Sequence, residues 1–138
     1  MKRILVLCTG NSARSQMGEG LFRHEGRGAY EVESAGTRPS RVRPEAIVVM
    51  QEIGIDISSH RSKDVAEIPA DDVDLVVTLC AEEECPLFLG TARRLHWGLP
   101  DPAAVHGSEE TRLAAYRATR DELRRRIDAL LTSAEPRG

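Results

Sequence analysis

Residues 2–15 read Lys-Arg-Ile-Leu-Val-Leu-Cys-Thr-Gly-Asn-Ser-Ala-Arg-Ser, and this stretch decides the fold. The apolar run that ends at Leu7 predicts a buried strand, and a helix is expected over residues 13–25. Between strand and helix, Cys8 opens a loop of small and anion-binding residues. In such a loop, successive backbone N–H groups point inward, and the helix N-terminus adds positive charge. The stretch therefore predicts a cradle for a tetrahedral oxyanion.

The residues of this loop have predicted roles in chemistry or anion binding. Arg14 supplies a planar fork of N–H donors that binds two oxygens at once. Cys8 is expected to attack the central atom as a thiolate, the form that helix N-termini and nearby cations favour. Ser15 is expected either to donate a hydrogen bond to that sulfur or to cap the helix. The other predicted substrate-binding residues are Thr9, Gly10, Asn11, Ser12 and Ala13. The alternative is a structural cysteine buried before a turn.

The composition describes an ordinary globular protein of 138 residues, with 41% hydrophobic residues, 30% charged residues and a net charge of −3. We expect one catalytic domain over residues 1–132 and a flexible tail over residues 133–138. The sequence contains neither an apolar stretch of about 20 residues nor a signal-peptide pattern. A cytoplasmic protein with no membrane or nucleic-acid partner is therefore expected. Three cysteines in that compartment indicate catalysis, redox chemistry or metal binding rather than structural disulfides.

Strands and helices alternate along the rest of the chain. Further strands are predicted over residues 30–33, 74–79 and 92–97, and further helices over residues 44–53 and 108–131. This alternation predicts an α/β fold, a four-stranded parallel sheet with helices on both faces. Ligands of such sheets bind at the carboxyl ends of the strands. The residues expected to meet at that edge are Cys8, Ser34, Cys80 and Asp101.

Cys80 and Cys85 are separated by four residues just after a predicted strand, and three interpretations remain open. As a redox pair, Cys80 attacks Cys8 and Cys85 then attacks Cys80, which moves the oxidation toward solvent. As zinc ligands, the pair would need His96 and His106, and the usual short ligand spacings are missing. As inert thiols, they would take no part in the reaction. The third cysteine at the same sheet edge favours the redox pair.

Asp101 lies between two prolines, which stiffen the backbone and limit where its carboxylate points. A carboxyl group beside a bound oxyanion acts as an acid to a leaving oxygen or as a base to an incoming thiol. We therefore predict an acid–base role for Asp101. The alternative is an aspartate in an ordinary turn.

The chain resembles the thioredoxin-coupled arsenate reductases, which are built on the low-molecular-weight tyrosine phosphatase fold. The resemblance covers nearly the whole length and rests on these segments: residues 8–17, Glu33-Ser-Ala-Gly36, residues 54–58, Val76-Val-Thr-Leu-Cys80, Cys85-Pro86, and His96-Trp97 leading to Asp101-Pro102. Reductases and phosphatases share the anion loop. The cysteine pair and the His-Trp stretch favour the reductase.

The resemblance implies a reaction in three steps and no cofactor. Cys8 attacks arsenate held by Arg14 and the loop amides, and hydroxide or water leaves with help from Asp101. Cys80 attacks the sulfur of the Cys8–arsenic adduct, which releases arsenite and leaves a Cys8–Cys80 disulfide. Cys85 then attacks Cys80, and thioredoxin reduces the resulting disulfide. Phosphate and sulfate are expected to compete with arsenate.

The chain departs from the family in two places. The family's cysteine pair often has a longer spacing than the four residues here. Some members bind potassium beside the anion loop, through the segment that here reads His60-Arg-Ser-Lys-Asp64. The side chains of Arg61 and Lys63 would repel a cation, so no metal is expected, and one of them is expected to replace its charge. Asn11 and Ser34 are expected to brace the loop.

The alternative function is a low-molecular-weight protein tyrosine phosphatase. Such phosphatases commonly place an aromatic residue just after the Asp-Pro pair, whereas here Pro102 is followed by Ala-Ala-Val. A phosphatase also has no need of Cys80 or Cys85. A non-catalytic anion sensor or zinc module would need Cys8 to be dispensable, which the chemistry of the loop argues against. Weak phosphatase side activity is expected, since the loop binds phosphate.

Overall fold

The computed structural model describes residues 2–69, 72–81 and 92–134. Its strands are β1 (Lys2–Leu7), β2 (Tyr30–Ala35), β3 (Leu75–Thr78) and β4 (Arg93–His96), and its helices are α1 (Arg14–Gly26), α2 (Pro44–Gln51) and α3 (Glu109–Ala134). The strands form one sheet in the order β2-β1-β3-β4, and every neighbouring pair is parallel. The predicted α/β fold with a four-stranded parallel sheet is confirmed.

The central strand β1 is buried on both faces of the sheet. Ile4 and Val6 belong to the larger core, together with side chains from all three of the helices just named, whereas Leu5 and Leu7 belong to a smaller core on the other face. This alternation follows from the two-residue period of a strand. Because both faces are covered, β1 reads as a continuous apolar run rather than an alternating one.

Helix α1 packs between the sheet and α3. Met17 and Leu21 are fully buried in the larger core. Phe22 stacks on Trp97, which follows β4, with ring centroids 6.4 Å apart and planes 8° from parallel. This contact holds the end of β4, and the loop that leads to Asp101, against the helix that begins at Arg14.

The predicted ends of several elements differ from those observed. Strand β2 continues two residues past Glu33 to Ala35, because β1 pairs with it up to Leu7. Helix α3 continues to Ala134, so the first two residues of the predicted tail are helical, and residues 135–138 lie outside the described part of the chain. No helix in the described ranges is both long enough and apolar enough to span a membrane.

Candidate active site

A cavity of about 240 Å³ opens at the carboxyl edge of the sheet, where the loop of residues 8–13 joins β1 to α1. Its lining residues are Cys8, Thr9, Gly10, Ser12, Ala13, Arg14, Ser40, Arg43 and Asp101. The structure thus brings the loop and Asp101 together, as the position of each after a parallel strand predicts. Ser40 and Arg43 were not predicted, since no local pattern relates the segment before α2 to Cys8.

Carbonyl groups of the loop accept hydrogen bonds from residues 38–43, which we call the strap. Backbone N–H groups of the strap donate at 2.9–3.1 Å in three pairs: Arg38 to Thr9, Ser40 to Gly10, and Arg43 to Ser12. In a trans peptide, the carbonyl group and the next N–H group point in opposite directions. The N–H groups of Gly10, Asn11 and Ala13 therefore point away from the strap and are not used by it.

Gly36 lets the end of β2 lie directly against the loop. A Cβ atom at this position would overlap the carbonyl oxygen of Thr9 and lie 2.7 Å from that of Cys8. Both oxygens are backbone atoms of the loop, so the overlap is relieved only if the loop itself moves. The sequence marks Gly36 as the end of a strand, but its role in shaping the loop appears only in the structure.

We expect Gly36→Ala to weaken binding of inorganic phosphate to the reduced protein at least tenfold, about 1.4 kcal/mol, because the added methyl group displaces the loop. Isothermal calorimetry measures the affinity. The control is Gly28→Asn, at a residue with φ of +82° and open space around it, since asparagine tolerates that conformation. Unchanged phosphate affinity in Gly36→Ala would show that the loop does not depend on this contact.

A buried hydrogen-bond network lies beneath the sulfur of Cys8. The oxygen of Ser15 lies 2.9 Å from this sulfur and accepts a 2.8 Å hydrogen bond from Nδ2 of Asn11. The amide of Asn11 cannot be reversed, because its Oδ1 accepts the backbone N–H of Lys63 at 2.8 Å. A neutral thiol and a serine hydroxyl can each donate in this contact, whereas a Cys8 thiolate can only accept, so the hydroxyl of Ser15 is placed to donate to the thiolate form.

The helix-capping alternative for Ser15 does not fit the structure. Ala13 occupies the N-cap position of α1, and no side chain among the described residues caps this end. Asn11 instead turns the loop, in a left-handed conformation with φ of 47° that asparagine adopts more readily than most residues. Asn11 therefore braces the loop, as expected from the sequence.

The network continues from Asn11 through Gln16 to His60. Nε2 of Gln16 donates to three oxygens, which lie on Asn11 and Arg61 at 3.0–3.1 Å. Its Oε1 therefore faces Nδ1 of His60 at 3.0 Å, and the histidine is the donor. Burial lowers the pKa of His60, whereas the negative charge of Glu19 acts in the opposite direction.

One expectation about this region is wrong. Ser34 does not brace the loop: its hydroxyl donates to buried Glu19 at 2.6 Å, because strand β2 faces the middle of α1 there. Glu19 also pairs with Arg23, one helical turn along α1 and 2.8 Å away. Arg61 pairs with Glu67 at 2.9 Å, and Lys63 contributes its backbone N–H group to the loop. That one of these two side chains replaces the charge of a cation stays a prediction.

Arg14 is 3% exposed, and backbone carbonyl groups fix its direction. Its Nη1 donates to the carbonyl oxygens of Leu99 at 3.0 Å and Leu79 at 3.4 Å. Its Nη2 lies 3.8 Å from Oδ2 of Asp101. The other oxygen of Asp101 accepts the backbone N–H of Ala103 at 2.9 Å. Asp101 therefore stabilises a turn and faces Arg14 at the same time, and its acid–base role stays a prediction.

Cys80 is fully buried two residues after β3, at the same edge of the sheet as Cys8. Cys85 lies outside the described residues. Of the other residues considered for zinc, His96 contacts the hydroxyl of Thr78 through Nδ1 at 2.7 Å. Within residues 2–69, 72–81 and 92–134, no group of three or more His, Cys, Asp or Glu residues is placed to hold a metal ion.

Comparison with known proteins gives a family match and named relatives. The family model for low molecular weight phosphotyrosine protein phosphatase matches residues 3–136. The arsenate reductase of Halalkalibacterium halodurans is 44% identical over 128 residues, 91% of this chain and 92% of that protein. A solved structure of an arsenate reductase in the phosphate binding state has a TM-score of 0.80 and 34% identity, covering 96% of this chain and 98% of the other. The thioredoxin-dependent arsenate reductase of Corynebacterium glutamicum has a TM-score of 0.75 and 25% identity, covering 100% of this chain and 64% of the other.

Proposed function

Because the chain belongs to the low molecular weight phosphotyrosine protein phosphatase family, we propose that it reduces arsenate to arsenite with Cys8 as the nucleophile. The arsenate reductase function predicted from the sequence is confirmed by relatives that carry this name over more than nine tenths of the chain. The residue roles below are our proposal. One observation carries them: Cys8 and Arg14 line the same cavity, and the sulfur of Cys8 lies 2.9 Å from the hydroxyl oxygen of Ser15.

Substrate binding depends on the inward N–H groups of the loop and on Arg14. The N–H groups bind oxygens of arsenate without the need to reorganise, because the strap already holds their peptide planes. Arg14 adds a planar fork whose direction is set by the carbonyl oxygens of Leu79 and Leu99. Arsenate therefore sits with its central atom above the sulfur of Cys8.

In the first chemical step, the thiolate of Cys8 attacks arsenic, a sulfur–arsenic bond forms, and an arsenic–oxygen bond breaks. The proton that converts the leaving oxygen to water comes from Asp101, whose carboxyl group is 39% exposed at the cavity. The Ser15 hydroxyl stabilises the thiolate before attack. The amide of Asn11 holds the oxygen of Ser15 in place by donating to it at 2.8 Å.

In the second step, Cys80 attacks the sulfur of the Cys8–arsenic adduct. A disulfide forms between the cysteines, and the electron pair of the broken sulfur–arsenic bond remains on arsenic. Arsenic is thereby reduced from the +5 to the +3 state while two thiols are oxidised, and arsenite leaves. Cys80 lies at the same sheet edge as Cys8, and its complete burial shields it from outside thiols before this step.

Cys85 completes the relay by attacking Cys80, which frees Cys8 and forms a Cys80–Cys85 disulfide. Thioredoxin is the proposed reductant of that disulfide. Support comes from the family resemblance and from the Corynebacterium glutamicum neighbour, which is described as thioredoxin-dependent. We infer that the reaction takes place in the cytoplasm, where thioredoxin keeps thiols reduced.

Mass spectrometry of reduced protein treated with arsenate tests this relay. In the absence of reductant, we expect one arsenite per chain and a Cys80–Cys85 disulfide. With thioredoxin, its reductase and NADPH, arsenate should drive continuous NADPH oxidation, and glutathione should support a much lower rate. An aryl phosphate assayed alongside measures the weak phosphatase side activity. If arsenate leaves all three thiols free, the relay is wrong.

Arg14→Lys is expected to lower kcat/KM for arsenate at least tenfold, about 1.4 kcal/mol, because one ammonium cannot replace the planar fork. The assay is arsenate-dependent NADPH oxidation with thioredoxin and its reductase. The matched control is Arg125→Lys, in an exposed pair with Glu122 at 2.6 Å, where we expect a rate within about twofold of wild type. Near-normal turnover of Arg14→Lys would show that the loop amides alone hold the anion.

A further inference from the structure

Arg43 lines the cavity that contains Cys8, as Arg14 does. Its backbone N–H donates to the carbonyl oxygen of Ser12 at 2.9 Å, so the residue is tied directly to the anion loop. Arg43 is the N-cap residue of α2, but its side chain makes no capping hydrogen bond. Across the described parts of the chain, its exposed guanidinium has neither a hydrogen-bond nor an ion-pair partner.

The cavity has an excess of positive charge. Its lining residues carry two guanidinium groups, on Arg14 and Arg43, and one carboxyl group, on Asp101. The excess persists whether Asp101 is ionised or protonated. The nearby hydroxyl of Tyr116 adds no negative charge, because burial raises its pKa to about 12. A phosphate-like anion carries up to two negative charges at neutral pH, which matches two guanidinium groups.

We propose that Arg43 is a second oxyanion-binding residue, which binds an oxygen of arsenate or phosphate that is not displaced in the reaction. The inference rests on the proposed function in one respect, that this cavity binds an oxyanion. It does not depend on the chemistry of Cys8. Arg14 holds the anion from the buried side, and Arg43 holds it from the solvent side. Because Arg43 is exposed, it acts as a partly screened charge rather than a fixed fork. Lysine should therefore replace it, whereas lysine should not replace Arg14.

Arg43→Gln tests the proposal, since it removes the charge but keeps a polar side chain and the backbone bond to Ser12. We expect the Kd for inorganic phosphate, measured by calorimetry on the reduced protein, and the KM for arsenate to rise together about fivefold. The kcat should stay within about twofold of wild type. Arg43→Lys should restore most of the affinity, and raising the salt concentration tenfold should narrow the difference between Arg43→Gln and wild type.

The matched control is Arg125→Gln, which removes the same charge from an exposed residue that is outside both the cavity lining and the strap. It should bind phosphate as wild type does. The proposal is overturned if Arg43→Gln keeps wild-type phosphate affinity, or if Arg125→Gln weakens binding as much. Repeating calorimetry in Cys8→Ser separates the two hypotheses. In the Cys8→Ser background, phosphate affinity should still fall when Arg43 is replaced by Gln. If it does so while wild type fails to reduce arsenate, the proposed function is wrong and this inference stands.

Discussion

Cys8→Ser is expected to abolish arsenate reduction and the phosphatase side activity together, each by more than about a thousandfold. A serine hydroxyl is hardly ionised at neutral pH, so the nucleophile is lost although the side chain has nearly the same shape. The hydroxyl of Ser15, 2.9 Å from the Cys8 sulfur, keeps a hydrogen-bond partner in the variant. NADPH oxidation driven by arsenate and hydrolysis of an aryl phosphate measure the two activities.

Phosphate calorimetry is the control for this variant, because binding requires the loop and Arg14 but not the thiolate. Preserved phosphate affinity would show that the site is folded and that only the chemistry is lost. Either activity above a few per cent of wild type would contradict the role of Cys8 as the common nucleophile. If both activity and phosphate binding are lost, the melting temperature of the variant shows whether it has unfolded.

Cys80→Ser is expected to stop arsenate turnover while leaving the phosphatase side activity largely intact. Ester hydrolysis needs only the anion loop with Arg14 and Asp101, whereas arsenite release needs a second thiol. Cys80 is fully buried at the same sheet edge as Cys8. Because serine is close to cysteine in volume, it should fit at this position. Parallel assays with arsenate and an aryl phosphate distinguish the two outcomes.

Cys85→Ser is the companion variant, and its expected result is different. One turnover should occur and then stop, with a Cys8–Cys80 disulfide that thioredoxin reaches poorly because Cys80 is buried. Mass spectrometry after arsenate treatment identifies which cysteines are linked. Continued turnover with thioredoxin in Cys85→Ser would show that the buried disulfide is reduced directly and that the third cysteine is unnecessary.

The sequence predicted the elements whose signals are local. The apolar run of β1 marks a strand buried on both faces, and Pro44 marks the first turn of α2. Ser108 marks the start of α3, because its hydroxyl accepts the backbone N–H of Thr111 at 3.1 Å. The ends of elements were less accurate, because they depend on partners. β2 extends to Ala35 only because β1 is there to pair with it.

The sequence predicted an oxyanion site around Cys8, because the strand, the loop and the start of the helix are contiguous. It also predicted Asp101 and Cys80 at the same sheet edge as Cys8, since parallel strands bring their carboxyl ends to one edge. What supports and surrounds the loop depends on tertiary contacts. Lys63 orients Asn11 across 52 residues of chain, and Gly36 and Arg43 contact the loop from other segments. Such contacts depend on how distant backbones pack, and no pattern within one segment encodes them.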